Sequence, residues 1–173
     1  MRKDNQGVTL IELIVVIIIL GILAGGAFLG IRSLDSGNVQ SSVKRIDALL
    51  DYVRVQNMSK DKTYYLLLEE VSGDYFARVQ YPEDSSMVEV LSERLKLKNG
   101  TITFFSETST GAESEKTIDS DVTPAVTMQL SFRKESGALE AGSDGYVRRI
   151  VVSSAGRTYT IYLVKATGKH YIE

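Results

Sequence analysis

The chain has 173 residues, 43% of them hydrophobic and 24% charged, with a formal net charge of −2. That size is enough for one domain with its own core, and the near balance of charge excludes a general electrostatic pull toward nucleic acid. There is no cysteine and one histidine, which excludes disulfide staples, thiolate chemistry and a cysteine-based zinc site.

The chain opens with a short polar leader, residues 1–7, carrying Arg2 and Lys3 and ending in Gly7. It runs directly into an apolar segment over residues 8–31, interrupted by one charge, Glu12. At about 1.5 Å per residue, a helix of that extent reaches roughly 36 Å, enough to cross a hydrocarbon core of about 30 Å. The segment is too long for the apolar part of a cleaved secretory signal, and no A-x-A-like site comes after it. The processing point on offer lies before the apolar run, between Gly7 and Val8; an uncleaved signal anchor is the alternative. Arg2 and Lys3 favour the cytoplasmic side, while Arg32 argues weakly the other way. The expected orientation is leader inside and C-terminal part outside.

A carboxylate within a membrane helix costs up to about 2.5–3.5 kcal/mol and calls for a partner. Cleavage after Gly7 creates one. The new α-amino group of Val8 lies four residues before Glu12, about one helical turn away. It can meet Glu12 of its own chain or of a neighbour displaced along an axis. In the second arrangement Glu12 sets register, because a buried charge pair is better evidence for specificity than for stability.

Gly7, then Val8-Thr9-Leu10-Ile11-Glu12-Leu13, then an uninterrupted apolar helix, resembles the class III leader of type IV prepilins and of the pseudopilins of type II secretion. The resemblance implies that a prepilin peptidase cuts after Gly7 and N-methylates Val8, and that Glu12 is the carboxylate needed for methylation and assembly. It implies other pilin or pseudopilin subunits as partners, in a homo- or hetero-polymer, and membrane lipid as the surroundings before assembly. Two positions depart from the family's usual pattern. Val8 stands where Phe is common, and Leu29 lies in the region where many pilins carry Pro; the first proline here is Pro82. Any loosening of the helix on assembly would fall to Gly21, Gly25, Gly26 and Gly30, since glycine weakens a helix by about 1 kcal/mol relative to alanine. The spacings Gly21-x-x-x-Gly25 and Gly26-x-x-x-Gly30 also suit close helix packing, although glycine is common in membrane helices without that role.

Residues 33–38 are polar and are expected to loosen the helix. Periodicity resumes with Val39, Val43, Ile46, Leu50 and Val53, with Leu49 adjoining; Lys44, Arg45, Asp47, Asp51 and Arg54 take the other face. This predicts an amphipathic helix over residues 32–58, its apolar face packed on the remainder of the chain. Strands are expected at Thr63–Leu68 and Tyr75–Tyr81 around a hairpin turn at Val71–Asp74. Met87 to Leu97 is ambiguous. Further strands are expected at Thr101–Phe105 after the turn dipeptide Asn99-Gly100, at Ala125–Arg133, at Val147–Val152, at Thr158–Val164 and at His170–Ile172. Ser106–Pro124 and Ser136–Gly145 read as exposed loops, the usual places for recognition.

The predicted fold is therefore α+β and pilin-like: leader 1–7, membrane or filament-core helix 8–31, amphipathic half 32–58, and an antiparallel β-sheet head over 59–173. A strand ending in Phe105, a polar loop, a strand at Val126–Phe132 and then Arg149 to Thr158 resembles the C-terminal part of H-type minor pseudopilins and related minor pilins, where a Gly-Arg turn joins two late strands. The absence of cysteine also fits minor pilins, pseudopilins or Gram-positive pilins better than major pilins closed by a disulfide.

Chemistry-bearing motifs are sparse. There is no nucleophile elbow, phosphate loop or zinc spacing, so no enzyme activity, cofactor or metal is expected. Asp119-Ser120-Asp121 lacks the ligand array of a calcium loop. His170 reads as a surface residue. Arg148, Arg149, Arg157, Lys165 and Lys169 make the chain's end basic, but strand alternation would put only some of them on one face. A solvated sheet face is expected there in preference to a DNA-binding patch.

The resemblance thus implies a structural subunit, a minor one, of a type IV pilus or of a secretion or competence pseudopilus. It would reside singly spanning the inner membrane and then enter a periplasmic or extracellular filament. The alternative is a signal-anchored extracytoplasmic binding module that does not polymerise.

Overall fold

A computed structural model describes residues 10–108 and 110–173, with the side chains of residues 10, 12 and 21–36 excepted. The described residues form one long helix, α1 (Leu10–Ser59), and then nine strands: β1 (Tyr65–Val71), β2 (Asp74–Glu83), β3 (Ser86–Leu95), β4 (Thr101–Glu107), β5 (Glu113–Thr117), β6 (Met128–Leu130), β7 (Tyr146–Ser154), β8 (Arg157–Leu163) and β9 (His170–Ile172). The α+β expectation holds, with one refinement. The strands form two antiparallel sheets, ordered β3-β2-β1-β6 and β5-β4-β7-β8-β9.

The C-terminal half of α1 explains why two sheets make one head. Val39, Val43, Ile46, Leu49, Leu50 and Val53 are all buried. They share a single core with Leu66, Leu68, Ala77 and Val79 of the first sheet and Ile102, Phe104, Ile150, Val152 and Ile161 of the second. The helix touches β1, β2 and β3 of one sheet and β7, β8 and β9 of the other. Each such aliphatic side chain contributes about 1.5–3 kcal/mol relative to exposure, so the helix is the common element against which both sheets are held.

Helix α1 runs unbroken through residues 33–38, contrary to the expected loosening. Ser, Asp and Asn each lose less than about 1 kcal/mol against alanine in a helix, and extending an existing helix costs far less than starting one. The C-terminus of α1 closes where Lys60 N–H still reaches the Gln56 carbonyl, at 2.8 Å. One turn earlier, Asn57 is fully buried. Its Nδ2 donates to the Tyr64 carbonyl (3.0 Å), Ser131 Oγ (3.0 Å) and the Phe132 carbonyl (3.1 Å), and its Oδ1 accepts from Tyr64 N–H at 2.6 Å. A single amide thereby joins the end of α1 to the entry of β1 and the exit of β6.

Two of the three two-residue hairpins obey the local sequence. Ser72-Gly73 joins β1 to β2 with φ of 54° and 82°, and Ala155-Gly156 joins β7 to β8 with φ of 53° and 73°. Positive φ at both central residues is the type I′ geometry that matches strand twist. The ambiguous stretch after Met87 is strand β3, an edge strand with Met87, Val90 and Leu91 exposed.

Three other expectations are corrected. The stretch 106–124 is not wholly a loop: β5 lies within it, paired to β4, and Ile118 is buried behind it. The strand expected over 125–133 shrinks to β6, with isolated bridges at Val126 and Phe132 on either side. His170 is not a surface side chain; only 4% of it is exposed. Its Nε2 lies 3.2 Å from the Asp47 carbonyl, and 3.2 Å and 3.7 Å from the Asp47 and Asp51 carboxylates. It ties β9 back to α1.

Candidate assembly surface

The N-terminal half of α1 has the same backbone as the C-terminal half and a different fate. Ile11 and Leu13 to Leu20 are large aliphatic side chains on every side of the helix, and each is between 47% and 71% exposed. Among the described residues no strand of the head covers them. A helix that is apolar all round has no solvent face to present and is stable only inside lipid or among other helices. An exposed apolar surface of this extent marks an interaction site.

Of the residues singled out by sequence, Gly7 and Val8 lie outside the described residues. Glu12 is on α1, within the apolar stretch, but its side chain is outside the described ones. Gly21, Gly25, Gly26 and Gly30 are all on α1, which passes through them without a break. Positions 21 and 25 share one face of the helix and 26 and 30 another, because residues four apart lie nearly above one another. Among the described residues no helix is long and apolar enough to cross a membrane; the described side chains of the apolar run stop at Leu20.

Elsewhere, no group of three or more His, Asp or Glu side chains among the described residues is placed to hold a metal ion. The Asp119 carboxylate is turned onto its own backbone, accepting from Asp121 N–H at 2.7 Å. The ionisable groups with displaced titration are in the head. Glu83 is held below the ordinary carboxylate range, and Lys62 above the ordinary amine range, by their mutual hydrogen bond of 2.6 Å. Burial pushes the Tyr75 phenol up, reinforced by the Glu70 and Asp119 carboxylates.

Residues 2–28 match the family described as the prokaryotic N-terminal methylation motif. That match is confined to the N-terminal stretch, and over it alone supports the likeness to type IV pilins and pseudopilins. The motif carries the prepilin type of leader and covers the first part of α1; it does not reach the head and does not separate the H-type from other members. No curated protein and no solved structure matches the chain. The fold is consistent with the pilin-like expectation, a long N-terminal helix with a β-rich head on its second half.

The residue that sequence reading passed over is Asn57. It falls four positions after Val53, on the buried face of α1. A polar side chain in line with an apolar stripe near a helix end was the available signal, since a buried amide must find partners.

Proposed function

We propose that the chain is a minor, pilin-like structural subunit. It is cut between Gly7 and Val8, N-methylated on Val8, held in the cytoplasmic membrane by the apolar half of α1 with its head outside, and then drawn into a filament. The observation that carries this reading is the conjunction of the leader motif with Ile11 and Leu13 to Leu20, apolar helix side chains that no described part of the chain covers. In the filament, lipid is replaced by neighbouring helices, and the Val8 amine of one subunit meets Glu12 of the next. Close approach of those helices falls to Gly21, Gly25, Gly26 and Gly30. The role is mechanical and not catalytic: there is no cysteine, and the single histidine is engaged with α1. The β7–β8 hairpin over Arg149–Thr158, turning on Ala155-Gly156, supports a minor subunit of the H-type, in a secretion or competence pseudopilus ahead of a motility or adhesion pilus.

Mass spectrometry of the mature N-terminus tests the processing. A methylated Val8 is expected; an intact Met1 or a cut elsewhere refutes it. Polymerisation is tested separately with Glu12→Ala. That variant is expected to insert in the membrane at the parental level and to be missing from sheared filaments. A parental chain that never leaves the membrane fraction would instead identify a signal-anchored binding module.

A further inference from the structure

Strand β7 begins Tyr146-Val147-Arg148-Arg149, and regular alternation would send the two arginines to opposite faces. It does not, because the pairing with β4 carries a bulge. Phe105 opposes Arg149 and Ser106 opposes Val147, leaving Arg148 as the extra residue. The inward positions change accordingly, from Val147 to Ile150, Val152 and Ser154. Bulges commonly re-aim a side chain in this way. Both arginines now border one surface cavity of about 630 Å³, with Lys165, Glu107, Glu113, Tyr162 and Tyr171 around it. That volume is in the range of small-molecule sites, about 300–1,000 Å³.

The lining has a definite chemical character. Arg148 pairs with Glu107, Lys165 Nζ stands 4.0 Å from the same carboxylate, and Arg149 Nη2 is 3.2 Å from Glu113. Three cations against two carboxylates leave one positive charge. The Arg149 guanidinium lies over the Phe105 ring at 3.9 Å, and its Nε is buried with no hydrogen-bond partner among the described residues. Tyr162 and Tyr171 are directly paired across β8 and β9 and stack at 5.2 Å with 19° between their planes. Phe105, Arg149, Tyr162 and Tyr171 therefore form one row across four neighbouring strands. Tyr171, at the outer end, is 56% exposed.

Each class of ligand makes a different demand. A nucleic-acid strand is held chiefly by cations left free to neutralise phosphates, and here two of the three are already matched by carboxylates. An apolar peptide would leave those charges stranded. A sugar ring needs an aromatic surface for its C–H face, and both donors and acceptors for its hydroxyl groups. Arg and Lys donate, Glu accepts, and Tyr does both. The remaining positive charge and the fork of an arginine suit one carboxylate.

We infer that this cavity binds an acidic sugar residue, its ring against Tyr171 and Tyr162 and its carboxylate at the cluster of Arg148, Arg149 and Lys165, where cations outnumber the protein's carboxylates by one. The site is on the head and does not depend on whether the chain polymerises.

The test is calorimetric titration of the full chain in detergent micelles with trigalacturonate, sialyllactose and a hyaluronan tetrasaccharide. Neutral maltotriose and a single-stranded oligothymidylate serve as the contrasting probes. At least one acidic sugar is expected to saturate the protein below about 10 mM, at least about tenfold tighter than maltotriose. Arg148→Gln and Tyr171→Ala, both at exposed positions, are each expected to weaken it about tenfold or more at unchanged melting temperature. Arg149→Gln is expected to do the same; if it unfolds, the two exposed variants decide. Failure of all three acidic sugars to saturate by about 10 mM overturns the inference. So does tighter binding of the oligothymidylate, or binding that neither exposed variant weakens.

Discussion

The two halves of α1 make the most instructive comparison in the molecule. Ile11 and residues 13–20 are apolar on every side and exposed. Residues 39–53 are apolar on one stripe, and that stripe is buried between two sheets. The same backbone geometry serves both, so the difference lies entirely in how the aliphatic side chains are distributed around it. A stripe can be satisfied by one partner within the chain. A full circumference cannot, because no head could wrap it without ceasing to be a head. The first half must therefore find its surroundings outside the chain, and the second half need not.

Truncating one side chain in each half of α1 should have very different effects on the head. Leu50→Ala is expected to destabilise the head by about 2–5 kcal/mol, read as the denaturant midpoint of the full chain in micelles. Ile17→Ala is expected to leave head stability within about 0.5 kcal/mol of the parent. Equal effects would mean that the halves are not energetically separate. Asn57→Ala marks where the buried half ends. It removes the partner of Tyr64 N–H and of three acceptors at once. A loss on the order of 3 kcal/mol is expected in the same assay, since each orphaned buried group costs about 1–3 kcal/mol.

Smaller effects should be confined to the head. Ala155 carries a φ of 53°, a region that costs residues with a Cβ roughly 1–2 kcal/mol. Ala155→Gly is expected to raise head stability by up to about 1 kcal/mol, reduced by the greater freedom of glycine in the unfolded chain. A fall in the melting temperature would refute that account. The smallest effect is a titration. Burial holds the Tyr75 phenol above its ordinary value of 10.0. The unfolded chain therefore releases that proton first as the solution becomes alkaline. Stability from this group is complete below pH 10 and is lost as the pH rises through the folded-state value. Tyr75→Phe should flatten the decline of melting temperature above about pH 10; an unchanged slope would assign the decline to other groups.

Sequence legibility split along the same division. The buried stripe of α1 was readable because Val39, Val43, Ile46, Leu50 and Val53 repeat at helical spacing, and the two type I′ turns were readable at Ser72-Gly73 and Ala155-Gly156. The leader motif was readable from Gly7 and Glu12, whose roles remain proposals. The features that escaped depend on partners distant in the chain. Strand β5, Glu113-Ser114-Glu115-Lys116-Thr117, has no apolar alternation of its own; it exists because β4 offers it a backbone ladder and a hydroxyl contact of 2.9 Å between Thr103 and Thr117. The burial of His170 depends on Asp47, far away in sequence. The bulge at Arg148 cannot be read from β7 alone, because it is a mismatch in count between two strands. The division of the strands into two sheets was hidden for a similar reason: it is set by which strands pair, and the apolar stripe of α1 carries no record of that pairing.

The unbroken passage of α1 from the apolar segment into the core has a mechanical meaning. The helix extends about 75 Å at 1.5 Å per residue, with no loop or linker between its exposed end and the side chains that hold both sheets. A pull on the head relative to the N-terminus enters through fully buried residues of the core and not through a peripheral strand. Yielding would require Ile46, Leu50 and Val53 to leave two sheets at once. Such a chain behaves as a rivet, with its shank continuous through the plate it fastens.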